Sequence, residues 1–218
     1  MNAKPSQSTL TLFFSPGACS RVALEALEVT GVGYAARPIA LSSGEQRQAG
    51  YRALNPKGKV PLLLTSEGTL SEIAAIVSWL DMHHPQAALL PGAENSWMRA
   101  QALSWLSWSV STLHGLVFRL RMASRIHPDP QVQSRIQSVA MSELAEQLAV
   151  AERALADGRP WLCGEAWNIA DSHVCWAVGR ATDSGWDAAS TPRLAGLLAR
   201  QHARPAFQRA LARESQPA

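Results

Sequence analysis

Phe13-Phe14-Ser15-Pro16-Gly17-Ala18-Cys19-Ser20-Arg21 joins a β-prone run to a run of helical periodicity, and its reading decides the first half of the chain. Upstream, Thr9-Leu-Thr-Leu-Phe-Phe14 is short and extended, and Ser15-Pro16-Gly17 is a turn signal. From Ala18 to Val29 the apolar residues Val22, Ala23, Ala26, Leu27 and Val29 recur at helical spacing, with Gly31 just past the end as a stop. Cys19 is therefore expected in the first helical turn. Unpaired backbone N–H groups and the positive end of the helix dipole there favour a thiolate, and Arg21 adds to this if its side chain folds back. A free cysteine also serves as a small buried apolar residue, and the turn by itself leaves both readings standing.

Outward from this turn, Tyr34 to Leu41 reads as a second extended run, and Ser42-Ser43-Gly44 opens a polar loop reaching Asn55-Pro56-Lys57-Gly58-Lys59. Val60-Pro61-Leu62-Leu63-Leu64-Thr65, turned at Glu67-Gly68 into Thr69-Leu70-Ser71, reads as a hairpin. A proline opening a strand cannot donate to the ladder, so Pro61 needs an edge or a special turn. A cis bond would expose the Val60 backbone to a peptide-like ligand, and a trans bond would simply start an edge strand. Glu72 to His83 follows as a helix with Ile73, Ala74, Ile76, Val77 and Leu80 on its apolar face, ended by Pro85. At its entry, the Glu72 carboxylate can hold an ammonium group while the amides beside it hold a carboxylate. Ser71 and Glu72 acting as a plain helix cap is the alternative.

Strand, helix, strand, loop, hairpin, helix is the skeleton of a small α/β module with a right-handed crossover. Residues 1–84 are expected to form it and 85–95, rich in Pro and Gly, a linker. Residues 96–218 are expected to form an all-helical domain with helices near 96–126, 131–156, 169–185, 192–201 and 204–213, and a frayed tail from Ser215 to Ala218.

The 218 residues, 47% apolar and 17% charged, suit packed domains and argue against disorder. No stretch of apolar residues is long enough to span a membrane, and Met1 to Ser8 carries no secretory pattern. A net charge of +3 without basic blocks disfavours nucleic acid as a partner. Cys19, Cys163 and Cys175 lack the spacing of a zinc site or a disulfide framework, so no metal is expected and a reducing, cytoplasmic home is.

Cysteine after Ser-Pro-Gly-Ala, Asn-Pro-Lys-Gly-x-Val-Pro, and Leu-x-Glu before an apolar helix resemble, in order and spacing, the N-terminal domain of glutathione S-transferases, above all the bacterial beta class. Trp167-Asn168-Ile169-Ala170-Asp171 is similar to the family's buried capping box, with Asn168 in place of the usual serine or threonine. The resemblance implies an α/β thioredoxin-like domain followed by an all-α helical bundle, glutathione as co-substrate, and a homodimer. It implies a cis Val60–Pro61 bond whose exposed backbone pairs with the cysteinyl part of glutathione. Glu72 would then hold the γ-glutamyl ammonium, and the amides at Ile73 its carboxylate.

On the helix from Ser96, Ser107, Ser111, His114 and Phe118 form one stripe, flanked by apolar Leu106, Val110, Leu113, Val117 and Leu120. His114 matches the histidine with which the beta class approaches the glutathione cysteine. Trp108 and Ser111 are candidates for lining an apolar electrophile pocket with Phe14, while the remaining tryptophans read as core or a subunit contact. The chain departs from the family pattern in four places. Phe14 stands where tyrosine is frequent, leaving Cys19, Ser20 and backbone amides to stabilise a thiolate. Ile73 replaces a hydroxyl residue, Gly115 replaces a lysine, and the loop at Ser42-Ser43-Gly44 has no basic residue, leaving Arg47 or Lys59 to meet the glycyl carboxylate.

The implied activity is a cytoplasmic glutathione transferase that conjugates or reduces small apolar electrophiles, with thiol-transferase or peroxidase side activity. The alternative is a noncatalytic binding or interaction protein on the same fold. The transferase reading requires a cis peptide before Pro61 and a Cys19 that is not sealed in the interior.

Overall fold

The computed structural model describes residues 10–215, so Thr9 and the tail beyond Ser215 lie outside the described residues. The described chain divides into two compact units, one running to Leu89 and resuming at Pro205, the other spanning Leu90–Arg204.

In the first unit, β1 (Leu10–Phe14) leads through α1 (Arg21–Thr30) to β2 (Tyr34–Pro38). A short helix α2 (Ala49–Leu54), the hairpin β3 (Leu62–Thr65) and β4 (Gly68–Ser71), and α3 (Ile73–His83) complete the sequential part. The sheet order is β2-β1-β3-β4, with β1 parallel to β2 and antiparallel to β3. The parallel pair requires a crossover, which α1 supplies. Leu10, Leu12 and Phe14 alternate with half-buried Thr11 and Phe13, as a strand covered on both faces requires. Phe13 on one face meets the Tyr51 ring edge-on, 5.8 Å between centroids. Buried Val22, Ala23, Ala26 and Leu27 of α1 and Ile76, Val77 and Leu80 of α3 supply the other side of the core. This is a thioredoxin-like arrangement.

The sequence reading placed the last helix with the helical domain, whereas α9 (Pro205–Glu214) belongs to the first unit and packs on α1. Its buried Ala206, Phe207 and Ala210 supply the apolar contact, and ion pairs at both ends of α1 fix it. Arg209 and Arg213 reach Glu28 at 2.9 and 3.3 Å. Glu214 takes Arg21 Nη2 at 2.7 Å and the Gly17 N–H at 3.3 Å. Arg209 and Arg213 stay 53% and 41% exposed while pairing with α1. The loop 42–59, expected to be irregular, contains α2, a helix too short to carry a clear period.

The second unit holds α4 (Ser96–Trp108), α5 (His114–Arg121), α6 (Pro130–Ala154), α7 (Ile169–Thr182) and α8 (Pro192–Ala203). The single helix expected over 96–126 is interrupted by a π-helical turn at Ser109–Leu113. Ser109 is fully buried there and its Oγ lies 2.7 Å from His173 Nδ1. One residue inserted in the turn is the usual form of such interruptions. At the start of α7, Asn168 Oδ1 accepts from the Ala170 N–H and Asp171 Oδ2 accepts from the Asn168 N–H, both at 3.0 Å. Asp171 Oδ1 also accepts from the Leu162 N–H at 2.9 Å, tying the preceding loop to the buried helix. Among the described residues no helix is long and apolar enough to cross a membrane.

Candidate functional site

In the first unit, three segments meet at the end of β1. The turn 15–20 is closed by Ser20, whose Oγ donates to the Ser15 carbonyl at 3.2 Å and accepts from the Ser15 N–H at 3.0 Å. Ser20 is fully buried by this role, so its hydroxyl is structural and not the catalytic donor the sequence suggested. It is also the residue capping α1, which places Cys19 one position before the cap, in the turn, and not inside the helix.

Cys19 is 7% exposed. Burial, the largest influence, pushes its thiol up to about 12, with the Glu72 charge adding to the rise while Lys59 and the backbone amides of Cys19 and Ser20 oppose it. The sequence argument for a lowered thiol pKa fails because desolvation outweighs the amides. Arg21, the expected helper, is turned to Glu214 instead. Cys19 is a neutral thiol at ordinary pH, able to donate a hydrogen bond but poorly suited to act as a nucleophile.

The second segment is held rigidly. The Lys59 carbonyl accepts from both Tyr51 Oη and Asn55 Nδ2 at 2.7 Å, and Asn55 Oδ1 accepts from the Lys57 N–H at 3.2 Å. Gly58 sits at φ +60, and a Cβ there would meet the Gln46 carbonyl oxygen at 3.0 Å, so both conformation and space demand glycine. The Val60–Pro61 peptide is cis. The Val60 side chain packs against the cluster of Ile39, Tyr51 and Leu62, while its backbone precedes the ladder, which begins at Leu62. Pro61 is buried and Lys59 exposed.

The third segment is the entry to α3. Glu72 occupies φ +74, an uncommon conformation for a side chain with a Cβ, and it stands exposed just before the first helical residue. Lys57 Nζ donates to Glu72 Oε1 at 2.7 Å. Ile73 is buried in the core, so its side chain offers no group to a ligand. Phe14 is 1% exposed, buried with the core side of β1, and its ring cannot line the electrophile pocket the sequence assigned to it.

The remaining candidates belong to the second unit. Ser111 is exposed, and Trp108 is half-buried with its Nε1 donating to Gln147 Oε1 at 3.1 Å. The π-helical turn breaks the expected stripe. Ser107, Ser111 and Phe118 face solvent, whereas His114 is half-buried with its ring 4.9 Å from Trp176 and 6.1 Å from His173. Burial chiefly, with the His114 charge, pushes His173 down to about 3, so it is neutral. Trp176 and Trp186 are buried as expected, but Trp97 is 72% exposed.

Sequence reasoning missed Tyr51 and Asn55, which shape the loop before Val60, and Lys57, which engages Glu72. Lys57 lay inside a quoted motif, but its partner fifteen positions away could not be read from spacing.

Residues 17–83 match the glutathione S-transferase N-terminal domain family. The chain is 29% identical over 208 residues to glutathione S-transferase GstA of Escherichia coli O157:H7, covering 94% of this chain and 98% of that protein. It is 29% identical over 189 residues to a maleylacetoacetate isomerase of Pseudomonas aeruginosa, covering 85% of this chain and 87% of that one. Among solved structures it is similar to a sphingomonad glutathione S-transferase complexed with glutathione. That likeness has a TM-score of 0.83 and 31% identity, and covers 95% of this chain and 100% of that chain.

Proposed function

Because this chain belongs to the glutathione S-transferase family, we propose that it is a glutathione transferase acting on small apolar electrophiles. The observation that carries the reading is the Glu72 carboxylate, set at φ +74 at the entry to α3 and bound at 2.7 Å by Lys57 from the segment leading into Val60, which brings the second and third segments together.

In this reading the Val60 backbone pairs with the cysteinyl part of glutathione, Glu72 holds the γ-glutamyl ammonium, and the Ile73 amide meets its carboxylate. Lys59 serves the glycyl carboxylate. Catalysis consists of stabilising the glutathione thiolate and presenting it to the electrophile. A neutral Cys19 suits the role of hydrogen-bond donor to that thiolate better than that of a thiol forming a mixed disulfide, since thiol exchange runs through the thiolate. His114, Trp108 and Ser111 are proposed to serve the electrophile side, and the protein is proposed to work as a cytoplasmic homodimer.

The test is conjugation of a chloronitrobenzene by the wild-type protein and by Cys19→Ala. Weakened conjugation in a folded variant fits the donor role, whereas lost thiol exchange with conjugation retained assigns Cys19 the mixed-disulfide role instead. A second reading, isomerisation of a maleyl compound with glutathione as cofactor, is favoured by the likeness to the isomerase, and turnover of a cis-enedioate without glutathione consumption distinguishes it. The burial of Ser20 and Phe14 favours a noncatalytic binder instead. A folded protein that is not retained on immobilised glutathione and turns over neither substrate class supports that last view.

A further inference from the structure

Lys57 and Glu72 form an ammonium–carboxylate pair at 2.7 Å, with side chains 53% and 57% exposed. Among the described residues Lys57 is the only ion-pair partner of Glu72. The backbone on both sides is fixed. The Lys57 N–H is bound to Asn55 Oδ1, Gly58 follows at φ +60, and Glu72 is set between β4 and α3 at φ +74. What can move is the lysine side chain, which reaches solvent along a flexible stem. Its head group is the same chemical species, a primary ammonium, that an α-amino acid ligand would bring to this carboxylate.

We propose that Lys57 is a specificity-determining residue of the site, an internal ammonium that pairs with Glu72 and is displaced by the α-ammonium of an incoming γ-glutamyl group. This rests on the glutathione reading given above. A ligand bearing the ammonium must exchange one ion pair for another, and it gains only the difference. A ligand without it leaves the Lys57–Glu72 pair intact and neither gains nor loses by it. An exposed pair of this kind is worth at most about fivefold in an equilibrium constant, so the lysine trims affinity for the tripeptide without abolishing it.

The test is calorimetric titration of the full-length protein and of Lys57→Met, which keeps an unbranched stem without charge. The two probes are glutathione and its analogue in which the γ-glutamyl group is replaced by glutaryl, removing only the α-ammonium. The variant is expected to bind glutathione about threefold to fivefold more tightly and the analogue as the wild type does. Glutathione binding that is unchanged or weakened in Lys57→Met overturns the inference while leaving the glutathione site standing. An equal tightening of both probes also overturns it, because the effect would then not pass through the ammonium. If neither folded protein binds glutathione, the site reading itself falls, and the role of Lys57 with it.

Discussion

Glu214 offers the sharpest test of how the Cys19 turn is held. Its carboxylate is 6% exposed and receives Arg21 Nε at 3.0 Å and Nη2 at 2.7 Å on one oxygen, and the Gly17 N–H at 3.3 Å on the other. The Arg21 side chain is 18% exposed, so the pair is largely withdrawn from water, unlike Lys57–Glu72. Hydrogen bonds to charged groups contribute about 1.5–3 kcal/mol, and breaking a fully buried pair costs about 3–5 kcal/mol. Because water still reaches part of the guanidinium, Glu214→Ala is expected to cost about 2–4 kcal/mol, between those two ranges. A double-mutant cycle with Arg21→Ala should give a coupling of about 1.5–3 kcal/mol, as expected for groups in direct contact. Urea unfolding measures the cycle, and hydrogen exchange of the α1 amides localises the loss. A coupling below about 0.5 kcal/mol, the level of an exposed pair, refutes the argument, as does unchanged exchange in α1.

Three further outcomes follow from the geometry. His173 is held neutral with its pKa near 3 against an ordinary 6.5, so between those values the unfolded chain takes up a proton that the folded one refuses. Stability is then whole above 6.5 and falls as pH drops through that window, by about 2 kcal/mol between pH 6.5 and 5, with the slope reduced in His173→Asn; an equal slope in the variant refutes it. Alkylation of Cys19 by iodoacetamide, followed by peptide mapping, should quicken about tenfold per pH unit from 7 to 9 without a plateau, whereas a plateau near neutrality would restore the thiolate reading. Gly58→Ala should destabilise by about 1–3 kcal/mol in urea unfolding, and an unaltered midpoint would show that the Gln46 carbonyl can give way.

Much of the first unit was legible because its signals are local. The alternation of Leu10 to Phe14, the turn at Pro16-Gly17, the glycine after α1 and the hairpin at Glu67-Gly68 each act within a few residues, and the sheet follows from their order. The capping pair Asn168 and Asp171 is local in the same way. What escaped depends on partners distant in sequence. The π-helical turn holds Ser109 against His173, 64 positions away, and interrupts a helix whose stripe was drawn on the assumption of no break. The thiol of Cys19 was expected to be acidic from its neighbours in the turn, but its pKa is governed by how completely the surrounding fold excludes water. Of the two conditions set for the site, the cis peptide before Pro61 is present. The other goes against the expectation, since Cys19 is buried, with 7% exposure.

The return of α9 to α1 also orders events at the ribosome. Arg21 emerges 193 residues ahead of Glu214, so a nascent chain carries a first unit with one flank uncovered until the whole second unit has followed it out. A premature stop codon shortly after Arg204 would spare the whole second unit and injure the half of the protein that was made first.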